Sequence, residues 1–457
     1  MRAGSVGRLG RLKRRQVIRA VELLAILVVA VVATVPSMLT KPRLNYDSVS
    51  YLAPVSLTGE RLPVVPLVYA ALHRNLVAIV VFQAVFGGLC WAYLAYQALV
   101  VAPRPACYVA FLGVLLLSCT DYVTHWYSAI LSDSLSLSLL ALLLGSLASW
   151  LARRGSLARV VIVAVAWALT RDTNGYVLLL FGTVGLVVVL LRRRRPSELA
   201  AAMVAILAGV AVIVSTDAGQ LWQQPFLHVM SERVLVSPTA TAFFAAHGMP
   251  VTPTLLHLAG PYYPATDTAL RHAPQLAGFR AWMNRAGERT YLEYALLHPW
   301  WALSGTFGGN GELSDALIIY YGGTPKHPWI PPAIRGILMS ARQTVLLVGT
   351  AVTALVLLGC RRTLSSGRRA LLWWAAVVLT GYLGLVFAWV GDSWEFGRHA
   401  VGATVQIAVG LVFLVSVALG TIGTGTEPSA LQAVDGPPVE RSGDRVPEVG
   451  AGAAGLH

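Results

Sequence analysis

Two carboxylates and two arginine-bearing turns are the residues of this sequence best suited to chemistry. The first carboxylate lies in Asn45-Tyr46-Asp47-Ser48-Val49-Ser50-Tyr51, followed by Thr58-Gly59-Glu60-Arg61-Leu62-Pro63. Asp47 comes just after a long apolar run, at a bilayer edge where a lipid-borne substrate meets a water-soluble one and a general base can take a proton. The plainer reading is a helix cap, because Asp followed by Ser is ordinary at a helix start. The second carboxylate, Asp133, opens the apolar run beginning Ile130-Leu131-Ser132-Asp133-Ser134-Leu135. A helix dipole favours an anion there by ~0.3 to 1 kcal/mol, while ionisable groups near membrane depth default to function. The cations stand in Arg171-Asp172-Thr173-Asn174 and in Asp392-Ser393-Trp394-Glu395-Phe396-Gly397-Arg398-His399. A guanidinium fork matches phosphate oxygens and keeps its charge. Arg398 and His399 also begin a helix, whose positive end adds to anion affinity. The plainer reading of these arginines is a surface ion pair with Glu395 or Asp172, of little energetic consequence.

The elements that must position these groups are membrane helices. Of the 457 residues, 56% are hydrophobic and 12% charged, and the mean hydropathy is +0.65, far beyond ordinary soluble composition. Several apolar runs are long enough to cross a hydrocarbon layer of ~30 Å, and spans are read at 17–38, 76–101, 106–119, 130–151, 157–170, 176–191, 199–216, 344–360, 370–390 and 401–419. The third and fifth are short. Arg and Lys gather at alternate loops, at the N-terminus, Arg104, Arg153 with Arg154, Arg192 to Arg195, and Arg361 with Arg369. That alternation marks the cytoplasmic side, and it is kept only if both short runs cross. Ten spans are therefore expected, with both termini in the cytoplasm and the four chemical sites outside.

The formal charge of +14 and pI near 10 belong to this asymmetry. The basic clusters sit where anionic headgroups lie, so nucleic-acid binding is set aside. The first run is longer than a signal-peptide core and lacks a clear cleavage site, which suits an uncleaved anchor. Four cysteines without a CxxC pair imply neither disulfide nor metal.

The expected domains are a basic cytoplasmic N-terminus at 1–16, seven spans over 17–216 with a catalytic outer loop at 39–75, an extracytoplasmic subdomain at 217–343, three more spans over 344–420, and a disordered cytoplasmic tail at 421–457. The segment 217–343 is too long for an unstructured loop and should fold. Within it, 279–303 has a helical apolar pattern ending in His298-Pro299-Trp300-Trp301, as in a helix that returns to the interface and anchors with tryptophans. Outer-side aromatics such as Trp126, Trp222, Trp282, Tyr320, Tyr321, Trp329 and Trp394 read mostly as an interfacial belt. No internal repeat is visible, so a repeat-built transporter is not suggested.

Four short motifs in these topological slots resemble the GT-C superfamily of polytopic membrane glycosyltransferases, in particular bacterial members related to protein mannosyltransferases and to the enzyme that adds aminoarabinose to lipid A. They are Tyr46-Asp47-Ser48-Val49-Ser50-Tyr51 with its Gly-Glu-Arg-Leu-Pro continuation, Leu131-Ser132-Asp133-Ser134-Leu135, Leu169-Thr170-Arg171, and Arg398-His399. The resemblance implies an all-α, GT-C-like fold covering about 17–420, with the active site facing out of the plasma membrane. It implies a polyprenyl-phosphate-linked sugar as donor and a glycan, lipid or protein hydroxyl as acceptor. Asp47 would be the catalytic base, with Asp133, Arg171, Arg398, His399, Tyr51 and Arg61 binding substrate, and no cofactor. Many relatives carry an Asp-Glu pair where this chain has Asp47-Ser48, so a divalent metal lacks support, and often have Glu at the position of Asp133. The rival readings are a flippase or transporter of lipid-linked sugars, which wants charges near the bilayer midplane, and a non-catalytic subunit of an envelope-polymer machine.

Overall fold

The computed structural model describes residues 3–45, 47–55, 61–101, 105–192, 196–218, 222–261, 264–308, 343–359, 368–393 and 396–424. The tail expected to be disordered is outside the described residues from 425 on, as are Tyr46, Glu60, Trp394, Glu395 and the stretch 309–342 with Tyr320, Tyr321 and Trp329.

Among the described residues the regular structure is helical, with a single isolated parallel bridge between Arg43 and Ala129. In chain order the helices are α1 Ala3–Met38, α2 Ser48–Leu52, α3 Val64–Ala71, α4 Leu76–Val101, α5 Cys107–Ser118, α6 Asp121–Thr124, α7 Ser132–Leu151, α8 Leu157–Ala168, α9 Asp172–Arg192 and α10 Pro196–Ala218. They continue with α11 Gln223–Val229, α12 Pro238–Ala246, α13 Pro253–Leu256, α14 Pro264–His272, α15 Ala277–Trp282, α16 Glu288–Leu297, α17 Pro299–Gly308, α18 Gln343–Gly359, α19 Arg368–Gly391 and α20 Phe396–Thr424.

The protein is an all-α, multi-pass membrane protein with six or seven candidate spans. Six helices are long and apolar enough to cross, at Gln16–Met38, Leu76–Val101, Ser132–Leu151, Pro196–Asp217, Arg369–Gly391 and Phe396–Gly420. A seventh is available if Cys107–Ser118 and Tyr122–Ser128, bent by 59°, count as one broken span. Each of the ten expected runs coincides with a helix, but the expected ten crossings are not reached: α5, α8, α9 and α18 fall outside the six, and for the two shortest the reason is length. α5 and α8 have 12 residues each, about 18 Å at ~1.5 Å per residue, short of a ~30 Å hydrocarbon layer.

Composition explains where each helix sits. The membrane part of α1, Gln16–Met38, is apolar on nearly every side and exposes Val17, Leu24 and Leu27, as suits a helix at the lipid boundary. α7 is buried on nearly every side, including Ser132, Ser134, Ser136, Ser138, Ser146 and Ser149. Lipid tails are as apolar as leucine, so small residues that let backbones approach favour such a position. The Ser138 hydroxyl is satisfied by donating to the Ser134 carbonyl at 2.7 Å. α9 and α10 pack by the same rule: a Cβ on Gly209 would come within 2.9 Å of the Leu179 backbone.

The first loop is tied to the start of α7 by backbone bonds. Arg43 N–H donates to the Ser128 carbonyl at 2.8 Å, and Ile130 N–H donates to the Arg43 carbonyl at 3.0 Å. The Tyr69 hydroxyl of α3 donates to the Leu131 carbonyl at 2.7 Å. Burial pushes the Tyr69 phenol well above its ordinary range, so it stays a neutral donor. The segment from α11 to α16 has its own core of Phe226, Phe244, Phe279, Trp282 and Tyr294. It docks on the end of α19, where the Arg233 guanidinium donates to the Trp389 carbonyl and lies 3.9 Å over that ring. Tyr291 donates to the Val390 carbonyl at 2.5 Å.

Candidate functional site

Four stretches far apart in sequence converge at one end of the bundle: α2, the start of α7, the α8–α9 turn, and the α19–α20 turn. Asp47 immediately precedes α2, but its side chain makes no capping bond. Its oxygens go elsewhere. Oδ1 accepts from Arg61 Nη2 at 2.7 Å, and Oδ2 accepts from Arg398 Nη1 at 2.8 Å. The geometry thus rejects the helix-cap reading of Asp47.

Asp133 lies in the first turn of α7, where the dipole favours it. It is also doubly paired: Oδ1 accepts from Arg171 Nη1 at 2.6 Å, and Oδ2 accepts from Arg398 Nε at 3.0 Å. Arg398 therefore bridges the two carboxylates with different nitrogens of one fork. Such planar, two-point recognition is what guanidinium does and ammonium cannot. The ion pairs expected with Asp172 or Glu395 are not the ones described. Asp172 instead accepts from the Thr173 N–H at the start of α9, and Glu395 lies outside the described residues.

Burial makes these pairs consequential. The side chains of Asp133, Arg398 and Arg171 are 2%, 4% and 8% exposed, while Asp47 and Arg61 are 17% and 28% exposed. The network thus opens to the surrounding medium at its Asp47 and Arg61 end and is closed at Asp133. A buried charge without a partner is expensive, so each deep member depends on the next. Within the chain Arg61, Asp47, Arg398, Asp133, Arg171, three guanidiniums alternate with two carboxylates among the described residues.

His399 continues the chain. Arg171 Nη2 lies 2.9 Å from His399 Nδ1. Because arginine can only donate, Nδ1 must accept, which leaves the ring proton on Nε2. That nitrogen faces Asp392 Oδ2 at 3.7 Å. Asp392 Oδ1 accepts from His228 Nδ1 at 2.9 Å, and His228 belongs to α11. The water-soluble-looking segment after α10 is thereby linked to the site. Neither Asp392 nor His228 was singled out from sequence. Asp392 stands in the same turn as Arg398 and is within reach of that reasoning, whereas a lone histidine in a short helix carries no spacing signal.

The remaining expected residues are also present. Tyr51 donates to Ser132 Oγ at 3.0 Å, next to Asp133. Arg61 covers the Tyr51 ring at 4.7 Å and donates through Nε to Ser50 Oγ at 2.7 Å. Behind Arg171, Asn174 donates to Ser136 and Thr170 at 2.9 and 3.0 Å, which pins the α8–α9 turn against α7. Among the described residues no three His, Cys, Asp or Glu side chains group as a metal site. Compared with known proteins, the chain matches no family model, no curated protein and no solved structure.

Proposed function

We propose that this chain is a glycosyltransferase of the GT-C kind, moving a sugar from a polyprenyl-phosphate-linked donor to a hydroxyl of a glycan, lipid or protein at the extracytoplasmic face of the plasma membrane. One observation carries the reading. Asp47 and Arg398, a candidate base and a candidate phosphate ligand 351 residues apart, touch at a partly open end of a membrane bundle. A carboxylate beside clustered guanidiniums at the bilayer edge suits a reaction in which a proton is taken up while a lipid phosphate departs.

The chemistry follows from the pairing. In the resting arrangement both Asp47 oxygens are held by guanidiniums. A donor phosphate draws Arg398 towards itself and frees Oδ2. Asp47 then takes the acceptor hydroxyl proton, the acceptor oxygen bonds to the anomeric carbon, and the carbon–oxygen bond to phosphate breaks with its electron pair on the phosphate. Arg398 and Arg171 stabilise that developing charge by preorganised electrostatics, the largest usual contribution in such sites. A single displacement inverts the anomeric centre. Asp133 holds both arginines in place, and Tyr51 and Arg61 shape the open side. The transporter reading has less support, since this cluster sits at helix ends rather than near mid-bilayer.

The test is transfer by purified protein supplied with polyprenyl-phosphate sugars. Asp47→Asn should abolish transfer while the protein remains inserted and folded, as judged by its unfolding profile. Undiminished transfer by the variant would remove Asp47 from the mechanism.

A further inference from the structure

Helices α16 and α17 present an apolar face that is open among the described residues. Leu292, Leu296 and Leu297 on α16, with Trp300 and Leu303 on α17, are all exposed, Leu296 at 80% and Trp300 at 75%. Contiguous exposed apolar surface of this kind marks an interaction site. From Tyr294 to Gly308 the chain carries no Asp, Glu, Lys or Arg.

The position of α17 decides what covers the face. Trp301 packs edge-on against Trp389, with ring centroids 4.6 Å apart. Gly305 lies so close to the Trp389 ring that a Cβ would collide with it. Two turns on from Trp301, Phe307 meets Tyr382, with centroids 6.0 Å apart. α17 therefore runs antiparallel along α19, from near the end of that helix towards its middle. α19 is one of the six long candidate spans. Tyr382 stands about nine residues before its end at Gly391, or ~14 Å at ~1.5 Å per residue, close to half of a ~30 Å hydrocarbon layer.

We infer that α17 is a membrane-inserted segment: it enters the bilayer beside α19, reaches about half depth at Phe307, and presents Trp300 and Leu303 to acyl chains. Leu296 and Leu297 lie at the interface above. Lipid is the occupant because the face is carried by a helix packed along α19, a candidate span that itself exposes apolar side chains such as Leu379, at 60%. A helix tolerates that setting since its backbone is bonded within itself. Its hydroxyls are satisfied too, Thr306 donating to the Ala302 carbonyl at 2.7 Å and Ser304 to the Trp301 carbonyl at 3.4 Å. The described segment from α11 to α16 is then a water-side layer with α17 as its membrane keel, and the keel grips the helix end that leads to Asp392. The inference does not depend on the proposed reaction.

The test places single cysteines in the full-length chain with its native cysteines replaced, at Leu296, Trp300, Leu303 and Ser304. Leu379 on α19 serves as the lipid reference and Ala246 at the end of α12 as the water reference. Each is spin-labelled in phosphatidylcholine–phosphatidylglycerol vesicles, and collisions with oxygen and with a water-soluble nickel chelate are compared. Labels at Trp300, Leu303 and Ser304 should group with Leu379, favouring oxygen, with Leu296 shallower. Nickel access at Leu303 and Ser304 equal to that at Ala246 would overturn the inference. So would labels shielded from both reagents, which would mean that protein, not lipid, covers the face. Four labelled positions keep the comparison available if one substitution fails to fold.

Discussion

Replacing Arg398 by alanine removes a side chain that, among the described residues, bonds both Asp47 and Asp133. Breaking a buried ion pair from one side costs ~3 to 5 kcal/mol, because the remaining charge is left without compensation. Here the cost belongs near the bottom of that range, ~3 kcal/mol. Asp133 keeps Arg171 at 2.6 Å, and Asp47 keeps Arg61 at 2.7 Å and is partly solvated. Arg398→Lys should recover only part of the loss, since a point charge cannot span two carboxylates as a planar fork does. The measurement is equilibrium unfolding of purified protein in detergent, followed by tryptophan fluorescence, for Arg398→Ala, Asp133→Asn and the double variant. The two losses should not add, because each removes part of the same network, and the coupling should be ~0.5 to 3 kcal/mol. Losses that add within ~0.5 kcal/mol, the behaviour of independent sites, would show that Arg398 and Asp133 are not energetically joined and would refute the network.

Three further outcomes are expected. Tyr51→Phe removes the bond to Ser132 Oγ but keeps the ring beneath Arg61, so unfolding should show a loss of ~0.5 to 1.5 kcal/mol, the net value of one hydrogen bond. The His399 ring should carry its proton on Nε2, readable from its nitrogen chemical shifts in labelled protein; a proton on Nδ1 would contradict the Arg171 contact, and Asp392→Asn should shift the Nε2 resonance. A topology reporter fused after Ser215 should report the extracytoplasmic side and one after Arg195 the cytoplasmic side, and the opposite result would invert the proposed orientation.

Much of the scaffold is legible in the chain. The run 76–101 is α4 with the same bounds, and the other apolar runs fall on helices because run length and alternating arginine clusters are local quantities. How many helices cross is less legible. α5 is followed after a break by a second short piece at an angle of 59°, and that bend depends on what packs around it. The seven residues proposed for the site from sequence do come together, in loops and at helix starts on one end of the bundle. Their partners were not legible. Arg171 was weighed against Asp172 and Arg398 against Glu395, each a neighbour along the chain, whereas Arg171 bonds Asp133 and Arg398 bonds Asp47 and Asp133.

Hydropathy along the chain determines which stretches form apolar helices, because transfer from water to lipid is settled residue by residue. It cannot determine which buried acid meets which arginine. That choice rests on desolvated charges, whose cost is removed only by partners at ~3 Å, and on tertiary contacts such as Arg43 with Ser128 and Tyr69 with Leu131 that bring the first loop onto α7. His228 entered the network for the same reason: only the docking of the segment after α10 on the end of α19 carries it to Asp392.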